Sequence, residues 1–131
     1  MPATMNPDQA KGKNAGGAIT KYRFVKLDTT AADGETVVQC NAAGEGAYGV
    51  ALFSVSTDEI ARGKGASVVI DGRMIVEASA AIAVGDAVST AADGRAKVAA
   101  TGEQILGYCD EPAAGAGNWC SVYLDRAGVS A

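Results

Sequence analysis

From Tyr22 onward, no segment rich in Val, Ile and Tyr runs far before a glycine-containing turn interrupts it. That rhythm leaves room for short strands and little else, so it reads as an all-β chain. Apolar residues make up 48% of the sequence and aromatic residues only 5%. The core is therefore expected to consist of Val, Ile, Leu and Ala, whose small side chains suit thin β layers.

The clearest turn signals are Asp-Gly pairs. Asp71-Gly72 separates two apolar runs in SVVIDGRMIV and predicts a type I′ hairpin, and Asp33-Gly34 and Asp93-Gly94 predict two more turns. Alternation in RMIVEAS places Met74, Val76 and Ala78 on one face, with Arg73, Ile75, Glu77 and Ser79 on the other. The continuous run GVALFSV, residues 49 to 55, reads as a strand covered on both sides. A turn or two of helix is expected in SVSTDEIARG, where Ser56 and Glu59 have capping-box spacing before Gly63. The arch Ile82-Ala83-Val84-Gly85-Asp86-Ala87-Val88 is expected to turn at Gly85 with its apolar residues facing inward.

Thr-Ala-Ala-Asp-Gly occurs twice, at residues 30 to 34 and 90 to 94. GVAL at 49 to 52 is loosely matched by LGYC at 106 to 109, and ASVVID at 66 to 71 by CSVYLD at 120 to 125. Two related β units, about residues 22 to 72 and 82 to 125, account for these echoes. Chance repetition in an Ala-rich chain is the alternative. The expected architecture is a compact β-barrel or sandwich of short strands built from the two units. Residues 1–18 hold two prolines, three glycines and little bulky apolar material, so they are read as an extended N-terminal arm. Residues 19–131 form the single β domain that 131 residues can support.

Composition also excludes several kinds of chemistry. The chain has no histidine, and Cys40, Cys109 and Cys120 show no C-x-x-C spacing, so neither the usual zinc sites nor histidine-based triads can be assembled. No catalytic residue, metal or cofactor is expected. Asp86 has no second carboxylate or nucleophile at a fixed spacing, and Gly63-Lys64-Gly65-Ala66-Ser67 lacks the phosphate-loop pattern. A net charge of −4 argues against direct nucleic-acid binding. With neither a secretory leader nor an apolar run of membrane-spanning length, the three thiols are expected to be free in a reducing compartment.

In order along residues 72 to 125 come Val76-Glu77-Ala78, the turn from Ile82 to Val88, Asp93-Gly94, Gly107-Tyr108-Cys109, the Gly-rich loop from Ala113 to Gly117, and Val122-Tyr123-Leu124. This series resembles the decoration, or cement, proteins of tailed-bacteriophage capsids, with Cys109 standing where the family pattern G-x-A has alanine. Residues 48 to 72 fit the earlier part of the pattern. The resemblance implies a non-enzymatic structural protein of the virion, assembled in the bacterial cytoplasm and bound to the outside of the head. It further implies that the protein bridges major capsid subunits and forms a homo-oligomer, with a trimer favoured. Candidate capsid contacts lie on the arm and its basic root: Pro2, Met5, Pro7, Lys11, Lys13, Lys21 and Arg23. Trp119 and Tyr123 share one strand face opposite Cys120, Val122 and Leu124, and are the candidates for a subunit interface. The alternative function is a biotinyl or lipoyl carrier domain, which also uses G-D-x-V turns. Such a domain needs a lysine at an exposed hairpin tip, and here Lys97 falls inside the following strand.

Overall fold

Short hairpins with small side chains are unstable alone, and the chain stabilises them by closing them into rings. The computed structural model describes residues 5–31 and 33–130. Its strands are β1 (Asn6–Ala15), β2 (Phe24–Leu27), β3 (Thr36–Gln39), β4 (Gly49–Ala51), β5 (Ala66–Glu77), β6 (Ala87–Thr90), β7 (Ala96–Val98), β8 (Gln104–Glu111) and β9 (Trp119–Val129). A single helical turn, α1 (Thr57–Ala61), carries the expected capping box between Ser56 and Glu59. The all-β expectation is met.

The first ring runs β1-β3-β2-β4-β5 and closes where β1 pairs antiparallel with β5. The second runs β5-β9-β8-β6-β7 and closes at the parallel bridge Ala78↔Ala96, reinforced by the Ser79 N–H donating to the Ala96 carbonyl. Both rings use the same registers. Val25 lies opposite Gly49 as Val88 lies opposite Gly107, and Val50 opposite Val69 as Tyr108 lies opposite Tyr123. The bridge Ile19↔Val55 is matched by Ile82↔Ala113. Two related β units are therefore present, but their limits differ from those read in the sequence. The first begins with β1, and the second begins inside β5.

This sharing of β5 corrects the expected Asp71-Gly72 hairpin. The chain does not reverse there: β5 runs straight through from Ala66 to Glu77. Before the Asp-Gly pair it bonds to β4 through Val68 and Val69, and after it to β9 from Arg73 to Glu77. Gly72, at φ 90°, supplies the bend at which the strand leaves one ring for the other. The carbonyls of Ala47, Tyr48 and Ile70 beside this departure accept hydrogen bonds from the Arg126 guanidinium. The other two Asp-Gly pairs do lie in hairpin connections, 28–35 between β2 and β3 and 91–95 between β6 and β7, which places both copies of the repeated pentapeptide.

The two ring interiors correspond side chain by side chain. Ala15, Ile19, Val25, Val37, Ala51, Val55, Ala66 and Val68 fill the first. Ala78, Ile82, Val88, Ala96, Cys109, Ala113, Cys120 and Val122 occupy the same positions in the second. Met74 and Val76 join Ala78 on the buried face, as the alternation in RMIVEAS predicts. Two sequence expectations need correction. Only Gly49–Ala51 of the 49 to 55 run forms a strand, because Phe53 and Ser54 turn outward to solvent. In the arch, Ile82 and Val88 are buried, but Val84 is 64% exposed at the crest.

Rings this narrow bring backbones into direct contact. A Cβ on Gly49 would collide with the Val69 carbonyl oxygen, and one on Gly107 with the equivalent Tyr123 carbonyl oxygen. The segment read as an arm is extended, and from Asn6 to Ala15 it is β1, paired with β5 and, at Asn14 and Ala15, with β3. All three cysteines are buried and free. Burial pushes the Cys40 and Cys120 thiols up to about 12 and the Cys109 thiol to about 11.

Three outcomes follow from this packing. Gly49→Ala and Gly107→Ala should each cost about 2 kcal/mol and lower the thermal midpoint by roughly 5–10 °C. Gly46→Ala, with open space at its Cβ, should leave it unchanged. Protein beginning at Ile19 lacks a wall of the first ring and should melt well below the full chain; equal midpoints would show that β1 adds nothing to stability. At pH 8 the native protein should resist a thiol-specific reagent that titrates all three cysteines once urea is added, because raised pKa values keep the thiols protonated.

Candidate interaction surfaces

Equivalent ring positions that carry different residues mark where the surfaces of the two barrels diverge. At the entry to β2, Tyr22 has φ 62°, the one non-glycine residue with positive φ among those described. Its N–H donates to the Ala51 carbonyl, just as the Gly85 N–H donates to Cys109 in the second ring. A tyrosine thus stands where the repeat uses glycine, at a cost of about 1 kcal/mol or more. Its ring meets Trp119 edge-on, with centroids 4.9 Å apart. Such a pair contributes about 0.5–1.5 kcal/mol, enough to offset much of the strain.

Lys21 completes this cluster. Its Nζ lies 5.3 Å from the Tyr22 ring centroid and 5.6 Å from that of Trp119. Trp119 is 45% exposed and Tyr123 59%, whereas Cys120, Val122 and Leu124 are buried. The expected division of β9 into two faces is correct. Two groups of candidates that the sequence kept apart, the basic root of the arm and the aromatic face of β9, meet at Lys21 and Trp119.

The remaining candidates occupy different settings. Pro2 lies outside the described residues. Met5 is exposed, and Pro7 lies in β1 opposite Gly72. Lys11 is exposed on β1. Lys13 donates to the Gly34 carbonyl at 2.8 Å and sits 5.2 Å from the Tyr48 ring centroid. Arg23 is committed within the fold, with NH2 3.4 Å from Glu77 Oε1 and NH1 donating to the Asp93 carbonyl. Sequence reasoning missed Tyr22, whose only signal is that the equivalent arch position is a glycine.

The other charged groups serve turns. Glu45 and Glu103 sit at matching places in A-x-G-E turns, and each takes a lysine, Lys26 at 2.7 Å and Lys97 at 2.8 Å. In the first ring that lysine lies on β2, in the second on the partner strand β7. Burial works to raise the Glu45 carboxyl, but hydrogen bonds from Lys26 and from the Ala42 and Asn41 N–H groups outweigh it and hold the group below its ordinary value. Glu103 is likewise lowered, mainly by Lys97. Lys97 is thus ion-paired within β7, away from the hairpin tip that a modified lysine would occupy. Lys64 pairs with Glu59, the setting of a loop lysine. Among the described residues no group of three or more His, Cys, Asp or Glu is arranged to hold a metal, and no helix is long and apolar enough to cross a membrane.

No curated protein matches the chain. Among solved structures it is similar to the N base of the head fiber protein gp8.5 of bacteriophage phi29, with 21% identity and a TM-score of 0.71, over 94% of this chain and 98% of that one. At this identity the likeness shows a shared fold. The family model described as structural cement protein (E217 gp24/Pam3 gp6) matches residues 1–125. A match over nearly the whole length, on a fold of two strand-sharing barrels, places the chain in the family of phage structural cement proteins.

Proposed function

We propose that this cement protein binds the outer surface of an assembled phage head and bridges neighbouring major capsid subunits, without catalysing a reaction. The family match over residues 1–125 carries the reading. A protein that binds only the assembled lattice disfavours disassembly by mass action, and contacts spanning two subunits add to this through effective concentration. The head is completed in the host cytoplasm, a compartment that keeps three buried thiols reduced.

The shell contact centres on Lys21, Tyr22 and Trp119, with exposed Met5 a further contact. Trp and Tyr supply rigid contact area at small entropic cost, and an exposed cation beside them orients the encounter. An aromatic ring held at a strained backbone position favours this cluster over other surfaces, since folding alone is served by glycine at the matching site.

Co-sedimentation with purified empty shells tests both levels. The intact protein should pellet with shells and raise the temperature at which they come apart. Lys21→Glu and Trp119→Ala should each weaken pelleting about tenfold or more, a loss of about 1.4 kcal/mol or more, while the isolated protein stays folded. An intact protein that never pellets with shells would overturn the function. Full binding by both variants would instead move the contact elsewhere.

A further inference from the structure

The barrels are joined not only by β5 but by an apolar interface, and its two sides can be read separately. On the first barrel, Phe24, Val50 and Val69 alternate with the interior residues Val25, Ala51 and Val68, so they face outward. All three are nevertheless fully buried, because they pack in one cluster with Met74, Val76, Leu106 and Leu124. Met74 and Val76 share the face of interior Ala78, and Leu124 that of interior Val122. The outer face of the first barrel therefore stops one mouth of the second.

Each side of that interface has a counterpart that nothing within the molecule repeats. The outer stripe Phe24-Val50-Val69 corresponds to Ala87-Tyr108-Tyr123 on the second barrel, since Phe24 pairs with Val50 as Ala87 does with Tyr108. There Tyr108 is half-buried and Tyr123 largely exposed. The mouth residues correspond to Lys11, Lys13, Tyr48 and Ile70 on the first barrel. Lys11 lies opposite Val68 as Met74 lies opposite Val122, and Lys13 opposite Ala66 as Val76 lies opposite Cys120. Where the internal interface is apolar on both sides, the external pair carries charge. The mouth holds Lys11 and Lys13, the latter bonded to the Gly34 carbonyl, while the tyrosine stripe is flanked by Asp86 and Asp110 at the places of Arg23 and Leu52, with Asp110 ion-paired to Arg73 opposite Tyr123.

We infer that a second copy of this chain docks its Tyr108-Tyr123 stripe onto the Lys11-Lys13 mouth of the first, repeating between molecules the barrel-on-barrel contact that each makes within itself. The two patches belong to different barrels, so the contact is heterologous and joins copies head to tail. Lysine side chains over tyrosine faces, beside carboxylates, make it weaker and more salt-sensitive than the internal apolar contact. This association is a property of the protein alone and does not depend on shell binding. It assigns Tyr123 to self-contact and leaves Lys21 and Trp119 to the shell.

Sedimentation equilibrium on the full chain tests the inference against the monomer mass of 13.1 kDa. The wild type should associate as concentration rises and dissociate as salt is raised. Lys11→Glu makes the mouth acidic, and Tyr123→Lys makes the stripe basic. Each should shift half-association to a concentration at least tenfold higher, with thermal unfolding confirming that the variant is folded. An equimolar mixture of the two should associate again, because the acidic mouth of one variant meets the basic stripe of the other. A wild type that stays at 13.1 kDa at every concentration and salt overturns the inference, whatever the variants do. So do folded variants that associate as the wild type does, or a mixture that stays monomeric. If Tyr123→Lys loses shell pelleting while the wild type is monomeric, the stripe is a capsid contact and the proposed function stands without this one.

Discussion

Strand β5 belongs to two barrels at once, and everything else in the molecule is arranged around its change of partner at Gly72. A strand wall has two edges, and β5 uses both along its first half, for β4 and β1, before β9 takes over beyond the bend. Without the bend, the second barrel would have no first wall and the interface of Phe24, Val50 and Val69 with Met74 could not form. The departing strand leaves the region of Ala47, Tyr48 and Ile70 to a side chain, and Arg126 of β9 supplies the donors there. One arginine from the second barrel thus completes the hydrogen bonding of the first.

Small side chains are a condition of this design. Each barrel interior is built from Ala, Val, Ile and Cys, and at Gly49 and Gly107 neighbouring backbones come too close for any Cβ. Larger residues appear where the barrels meet, as Phe24, Met74 and Leu124, and where the outer surface remains open, as Trp119 and Tyr123. Aromatic content is therefore low because the interiors exclude it, and what remains lies between the barrels, as Phe24, or on the outside, as Trp119 and Tyr123.

Much of this is legible in the sequence. Turn glycines and alternating Val and Ile suffice for an all-β fold, and ASVVID with CSVYLD marks equivalent strand segments, whereas GVAL set against LGYC is one residue out of the register in which Gly49 matches Gly107. Other features are not legible from local pattern. Asp71-Gly72 has the signature of a hairpin, yet positive φ is equally suited to a bend within one strand, and only the partners on either side decide between them. The polar composition of Asn6–Ala15 conceals β1 because its partner β5 is distant in sequence and contributes the apolar side chains. Of the candidate contacts, Trp119 and Lys21 could be named from strand alternation and charge. Their meeting at Tyr22 could not, since a positive φ on a tyrosine leaves no local trace.

The continuity of β5 also determines how the protein responds to force. A pull along this strand loads the ladders to β1 and β4 in one barrel and to β9 in the other simultaneously, in shear, so many hydrogen bonds must yield together. Separating strands from an edge, as in a peeled hairpin, breaks them one at a time. A fastener fixed to a container that strains against its wall gains most from the first geometry: the tension passes from barrel to barrel along one covalent strand without crossing a hinge.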